Sequence, residues 1–232
     1  MANIAIIGAG NVGANTAFFI AERNIGPVVM YDVQEGMATG KALDMMEAAP
    51  VRGYQHAIRG TDSIDDLADT DLTIIAAGSG REPGMKRDDL YAKNAELIDD
   101  LAGKMSSYKG TVVIATEPVD LMVMRFQKTS GLNANRVLGL GGVLDSTRLR
   151  FALSQALGIT TENISATVIG RHSDQMLLLP EYCRVSGVPV TALMEQTDLE
   201  KALDETRSAG DVIVEMSQRA SSYYGPSAAA AD

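Results

Sequence analysis

Apolar positions fall into short runs separated by longer mixed stretches. The first run, residues 3–8, reads N-I-A-I-I-G and ends on a glycine. A continuous run of that length fits a strand of a parallel sheet covered on both faces. Over 11–24, Val12, Ala17, Phe18, Ile20 and Ala21 recur at helical spacing. Residues 28–31 predict a second strand that ends at Asp32, and 36–49 a helix stopped by Pro50. Residues 72–77 and 111–115 predict two more strands, with a polar helix over 88–107 between them. Strands alternating with helices predict βαβ units and a parallel sheet, an α/β protein.

Further along the pattern changes. Residues 137–140 predict a short strand and 144–157 a helix. Strands follow at 164–169 and 176–185 around the polar knot 170–174, and a long helix at 198–221. The nearly pure alanine stretch 227–231 reads as the first turn of a helix cut short. A boundary near residue 142 divides the chain into 1–142 and 143–232.

Composition narrows the possibilities. Of 232 residues, 46% are hydrophobic and 22% charged, which fits a globular protein and excludes long disorder. Twenty basic residues against 30 acidic ones give a net charge of −10, which disfavours a phosphate backbone as partner. Cys183 is the single cysteine, so no internal disulfide can form, in keeping with a reducing compartment. No basic stretch precedes the apolar start, and no apolar run approaches the roughly 18 residues of a membrane helix. The expectation is a soluble, cytoplasmic protein that binds neither nucleic acid nor membrane.

Three places carry candidate chemistry. Gly8, Gly10 and Gly13 form G-A-G-N-V-G where the first strand turns into the first helix. Gly8 permits the tight turn, Gly10 lets a pyrophosphate approach the backbone, and Gly13 lets helix and strand pack closely. The free N–H groups of the helix start would face the phosphates. Asp32 ends the next strand, where a carboxylate accepts from adenosine ribose hydroxyls and repels a 2′-phosphate, favouring NAD over NADP. Without a ligand, the same residues are a glycine-rich turn and a surface acid. The loop 78–87, G-S-G-R-E-P-G-M-K-R, follows a strand end and carries Arg81 and Arg87. Two guanidinium forks on a closing loop suit a carboxylate substrate, though a solvated basic loop is the commoner use of such residues. His172, in V-I-G-R-H-S-D, could relay a proton if an acid oriented it. Asp145 and Arg148 share the start of a helix in L-D-S-T-R, but spacing alone cannot bring Asp145 to His172.

In this order, G-A-G-N-V-G with Asp32, R-E-P-G-M-K-R, L-D-S-T-R and V-I-G-R-H-S-D resemble the malate and lactate dehydrogenase family, from residue 1 to about 226, where A-S-S-Y-Y-G-P also fits. The resemblance implies a Rossmann-type parallel-sheet domain over 1–142 and a mixed α/β substrate domain over 143–232. It implies NAD as cofactor, held by Gly8, Gly10, Asn11, Val12, Gly13 and Asp32. Ala77, Gly78, Asn94 and Thr116 complete that implied set. His172 becomes the proton acceptor, oriented by Asp145, with Arg87 polarising the reacting carbonyl. Arg148 would take the C1 carboxylate, and Glu117 and Ser221 would line the substrate. Arg81 stands where malate enzymes carry arginine and lactate enzymes typically glutamine. A second buried arginine calls for a second carboxylate, so the implied substrates are malate and oxaloacetate, a pair of the tricarboxylic acid cycle. The helix at 36–49 resembles the one that pairs subunits, implying a homo-oligomer, a dimer or tetramer. No metal is implied.

Three departures accompany the resemblance. Glu117–Pro118 stands where the family has Asn-Pro, and a carboxylate donates no hydrogen bond unless protonated. Ser173 replaces a glycine after the histidine, where a Cβ is expected to crowd or strain the backbone. Family chains run on for about another half-domain, so the second domain reads as shortened. These departures leave a non-catalytic NAD-binding or assembly subunit as the alternative, and a lactate enzyme, opposed by Arg81, as the weaker third.

Overall fold

The computed structural model describes residues 1–80, 85, 87–217 and 222–232, without the side chains of 87 and 88. Two compact units are present, Met1–Leu140 with Tyr223–Asp232, and Gly141–Ser222.

The first unit runs β1 (Ile4–Ile7), α1 (Asn11–Glu22), β2 (Val28–Tyr31), α2 (Met37–Arg52), β3 (Ile58–Thr61), β4 (Leu72–Ile75), α3 (Arg87–Lys104), β5 (Thr111–Ile114), α4 (Val119–Ser130) and β6 (Val137–Gly139). All six strands are parallel, in the order β3-β2-β1-β4-β5-β6. Side chains alternate between the two faces of the sheet. Ile4, Ile6, Val28 and Met30 join Ala17, Ile20 and Ala21 of α1 and Ala38 and Ala42 of α2. Ala5, Ile7, Val29 and Ile75 join Ile98 and Leu101 of α3 and Met122 and Phe126 of α4. Both faces are covered, which is why β1 and β2 read as unbroken apolar runs. The strand order reverses between β1 and β4, and ligands of such sheets bind above the carboxyl ends at that reversal.

Some expectations change. Helix α2 does not stop at Pro50 but runs to Arg52. The proline lies in the last turn, where its missing N–H removes one bond near the terminus. Gly53, with φ 78°, closes the helix through its N–H on Ala49 O at 2.8 Å. Strand β3 was not predicted, because Arg59 and Gly60 interrupt its apolar pattern. Gly60 is needed there, since a Cβ would lie 2.2 Å from the backbone of α2. Helix α4 was also not predicted, although Val119, Met122 and Phe126 are buried at helical spacing between Pro118 and the left-handed Gly131.

The second unit contains α5 (Gly141–Leu157), β7 (Ile164–Ser165), β8 (Val168–Ile169), β9 (Leu177–Leu178), β10 (Arg184–Val185), β11 (Val188–Pro189) and α6 (Gln196–Ser217). The expected strand 164–169 is two strands in different sheets, β7 beside β10 and β8 beside β9. The expected strand 176–185 is broken by a tight turn at Pro180–Tyr182, as a proline cannot donate to a ladder. Leu149 and Leu153 of α5 pack with Val168, Leu178, Cys183, Val190 and Leu199 in a separate core. The sequence assigns all of 143–232 to a second domain, but α7 (Tyr224–Ala230) belongs to the first unit. It lies on α1, with Ser227 Oγ donating to Val12 O at 2.9 Å and Arg23 to Ala231 O at 2.9 Å. Ala229 of α7 and Ala231 just after it are buried.

Candidate functional site

Gly8 leaves β1 with φ 97°, and a Cβ on it would stand 2.6 Å from the Cα of Ala77, just beyond β4. The loops after the two central strands therefore touch backbone to backbone. A Cβ on Gly13 would meet Gly8 O at 1.9 Å, so only glycine lets α1 start this close to the turn. Gly10 is the N-cap of α1 and supplies no side-chain cap. The first N–H groups of that helix, on Asn11, Val12 and Gly13, have no acceptor within the helix. Asp32, at the end of β2, accepts from Ala9 N at 2.8 Å and from Gln34 N at 3.0 Å. Two lone-pair sites of its carboxylate remain. An open row of amides beside a fixed carboxylate fits a dinucleotide, phosphates on the amides and ribose on Asp32.

A second set forms beyond β4 and β5. Asn94, 1% exposed on α3, accepts from Ser79 N at 2.8 Å and donates to Ser79 O at 3.1 Å and Glu117 O at 2.7 Å. Thr116 Oγ1 donates to Ala77 O at 2.7 Å. A Cβ on Gly78, which has φ 142°, would meet Thr116 Cγ2 at 2.8 Å and Asn94 Oδ1 at 3.0 Å. Ala77, Gly78, Asn94 and Thr116 are thus brought together, and the Asn94 amide is spent on holding two loops. Glu117 is half-buried and enters α4 through a cis bond to Pro118.

In the second unit, Asp145 lies in the early turns of α5 and is 1% exposed. Its Oδ2 is 2.8 Å from His172 Nδ1, and its Oδ1 is 3.6 Å from Arg148 Nη1. Sequence separations of 27 and three are thereby joined at one carboxylate. An Nδ1–H donated to Asp145 leaves Nε2 as the basic nitrogen. Arg148 Nη2 also donates to Ser222 Oγ at 3.4 Å. The expected strain at Ser173 is absent: its φ is not positive, and its Oγ accepts the Gln175 N–H at 3.1 Å, closing the turn after His172. Two glycines escaped the sequence analysis. A Cβ on Gly141 would lie 2.7 Å from His172 Cβ, and one on Gly210 would lie 3.6 Å from the Arg148 guanidinium nitrogens. The doubled glycine before L-D was the available signal for Gly141. Arg81, Ser221 and the side chain of Arg87 lie outside the described residues.

The fold and the cradle define a dinucleotide-binding protein. Residues 2–139 match the lactate/malate dehydrogenase NAD binding domain, and 142–232 the lactate/malate dehydrogenase alpha/beta C-terminal domain. The chain belongs to the lactate/malate dehydrogenase family. It is 40% identical over 231 residues to a malate dehydrogenase of Methanosarcina mazei, covering 99% of this chain and 75% of that one. Malate dehydrogenase of Cryptosporidium parvum superposes with a TM-score of 0.94 at 35% identity, over 99% of this chain and 75% of that one. A lactate dehydrogenase of the same organism, solved with lactic acid and nicotinamide adenine dinucleotide, gives 0.92 at 34% identity over the same shares. Among the described residues no helix is long and apolar enough to cross a membrane.

Proposed function

We propose that the protein interconverts (S)-malate and oxaloacetate, with His172 as acid and base. The observation that carries this is the 2.8 Å pairing of His172 Nδ1 with the buried Asp145 carboxylate. Asp145 fixes the imidazole ring and its tautomer, and its charge stabilises the imidazolium that forms. NAD, when bound, supplies the hydride acceptor. His172 Nε2 takes the hydroxyl proton of malate as the C2 hydride leaves, and returns it when oxaloacetate is reduced. Arg148 holds the C1 carboxylate, Arg81 the second one, and Arg87 polarises the C2 oxygen. Ser221 and Glu117 line the substrate. In this scheme 1–142 serve the dinucleotide and 143–232 the substrate. Helix α2 is the face between copies of a cytoplasmic homo-oligomer.

Loss of NADH absorbance on adding oxaloacetate, with pyruvate in parallel, tests the scheme. Oxaloacetate should be the faster substrate by tenfold or more, the order of worth of one charge-assisted contact. His172→Asn should abolish turnover while NADH affinity, read by fluorescence, stays near the parent value. Retained turnover in that variant would end the acid–base assignment. Glu117 supports a second reading, a non-catalytic NAD-binding subunit, which would bind NADH and turn over neither substrate.

A further inference from the structure

Lys41 stands on α2, outside every group assigned above. Its Nζ donates to the carbonyl oxygen of Ala9 in the glycine loop at 2.6 Å, and its side chain is half-buried. That oxygen belongs to the Ala9–Gly10 peptide, which is planar and trans. Its C=O and the N–H of Gly10 therefore point in opposite directions. Holding the oxygen on Lys41 fixes where the Gly10 N–H points. The preceding peptide is fixed separately, by Asp32 Oδ2 on Ala9 N–H at 2.8 Å. Two successive peptides of the loop are thus gripped by opposite charges.

The Gly10 N–H donates to no acceptor among the described residues, and nothing lies within 4 Å of where a Gly10 Cβ would be. It is an open donor beside the uncapped start of α1. A cation on the carbonyl oxygen also polarises the peptide and strengthens its N–H as a donor. Tying α2 to the loop would be the simpler role for Lys41. That helix is already anchored by the buried Ala38 and Ala42 and by its backbone contact with Gly60.

We propose that Lys41 is a positioning residue of the dinucleotide site, whose ammonium orients and polarises the Ala9–Gly10 peptide so that Gly10 N–H donates to a phosphate oxygen. The proposal rests on the glycine loop being the NAD cradle.

Lys41→Met keeps the apolar stem and removes the donor, while Lys41→Arg restores a cationic one. The amide shifts of Gly10 are measured in the ligand-free protein, and affinities for NADH, ADP and adenosine by titration. Lys41→Met should move the Gly10 amide proton upfield and weaken NADH and ADP about tenfold, the order expected for one charge-assisted bond. Adenosine, which has no phosphate, should stay within about twofold, and Lys41→Arg should recover most of the loss. An unmoved Gly10 amide, or equal losses for ADP and adenosine, would overturn the proposal. Should Lys41→Met not fold, Lys41→Gln, a neutral donor, takes its place with the same two readouts. A parent protein that bound no NADH would instead sink the cradle assignment, with the Gly10 shift still deciding whether Lys41 orients the peptide.

Discussion

Single buried polar atoms show how far one position can be read. Thr73 lies in the middle of β4, fully buried, and its hydroxyl has no hydrogen-bond partner. A buried hydroxyl without a partner carries its desolvation cost uncompensated. Thr73→Val removes the hydroxyl at similar shape and should stabilise the protein by about 1 kcal/mol. Urea unfolding reads this as a higher midpoint at unchanged slope; a lower midpoint would mean the hydroxyl is bonded in solution. The Thr73 defect was invisible in the sequence, where a threonine in an apolar run looks like any β-branched strand residue. The same holds for Gly141 and Lys41, whose meaning depends on which atoms face them. His172, Asp145 and Arg148 stood out by residue type and by their motifs. Only the fold, however, brings one carboxylate between an imidazole 27 residues away and a guanidinium three away.

Elements were legible where burial is two-sided. Helices cover both faces of the parallel sheet, so β1, β2, β4 and β5 are visible as largely apolar runs. The second unit uses strands of two residues paired antiparallel across loops, and no periodicity can be read from two positions. Helix α4 had the spacing to be found, and it matters because it holds α3. Arg125 of α4 pairs with Asp99 of α3 and also donates to Tyr91 Oη at 2.9 Å, and Thr129 donates to Asp99 at 3.0 Å. The hydrogen bonds from Arg125 hold the Asp99 carboxyl below its usual range. A carboxyl so lowered contributes stability above the ordinary range, and that contribution is lost as pH falls through its own lower value. Both side chains are 34% exposed, so the contribution is small. Arg125→Gln should unfold at lower urea than the parent at pH 7, and the gap should narrow as pH falls below the ordinary carboxylate range and close once Asp99 is protonated in the parent as well. A gap that persisted at low pH would assign the effect to lost packing of the guanidinium instead.

On the scale of the whole chain, the glycine loop, Asp32, Asn94 and Thr116 lie in the first unit, and Asp145, Arg148 and His172 in the second. The alanines of α7, which lies in the first unit, say nothing in the sequence about which helix they will meet. Glu117 is the test of how the division works, since it belongs to the first unit yet is proposed to serve the substrate. Its backbone carbonyl is held by Asn94 at 2.7 Å, so its place in the turn is set independently of its side chain. On that proposal an amide there, as in the family's Asn-Pro, would donate to a developing alkoxide. A carboxylate opposes it. Restoring a preorganised donor is worth about 2.7–4 kcal/mol of transition-state stabilisation, a hundredfold or more in rate. Glu117→Asn should therefore raise turnover in both directions and leave NADH affinity near that of the parent. The directions should gain unequally. On the same proposal, an anion at position 117 would favour the protonated imidazole, the form that serves oxaloacetate reduction. Malate oxidation needs the neutral form, so near neutral pH it should gain most, and its pH–rate profile should move to lower pH. Rates in both directions across pH, for parent and variant, decide the matter. A variant no faster than the parent, with an unmoved profile, would place Glu117 outside the reacting centre.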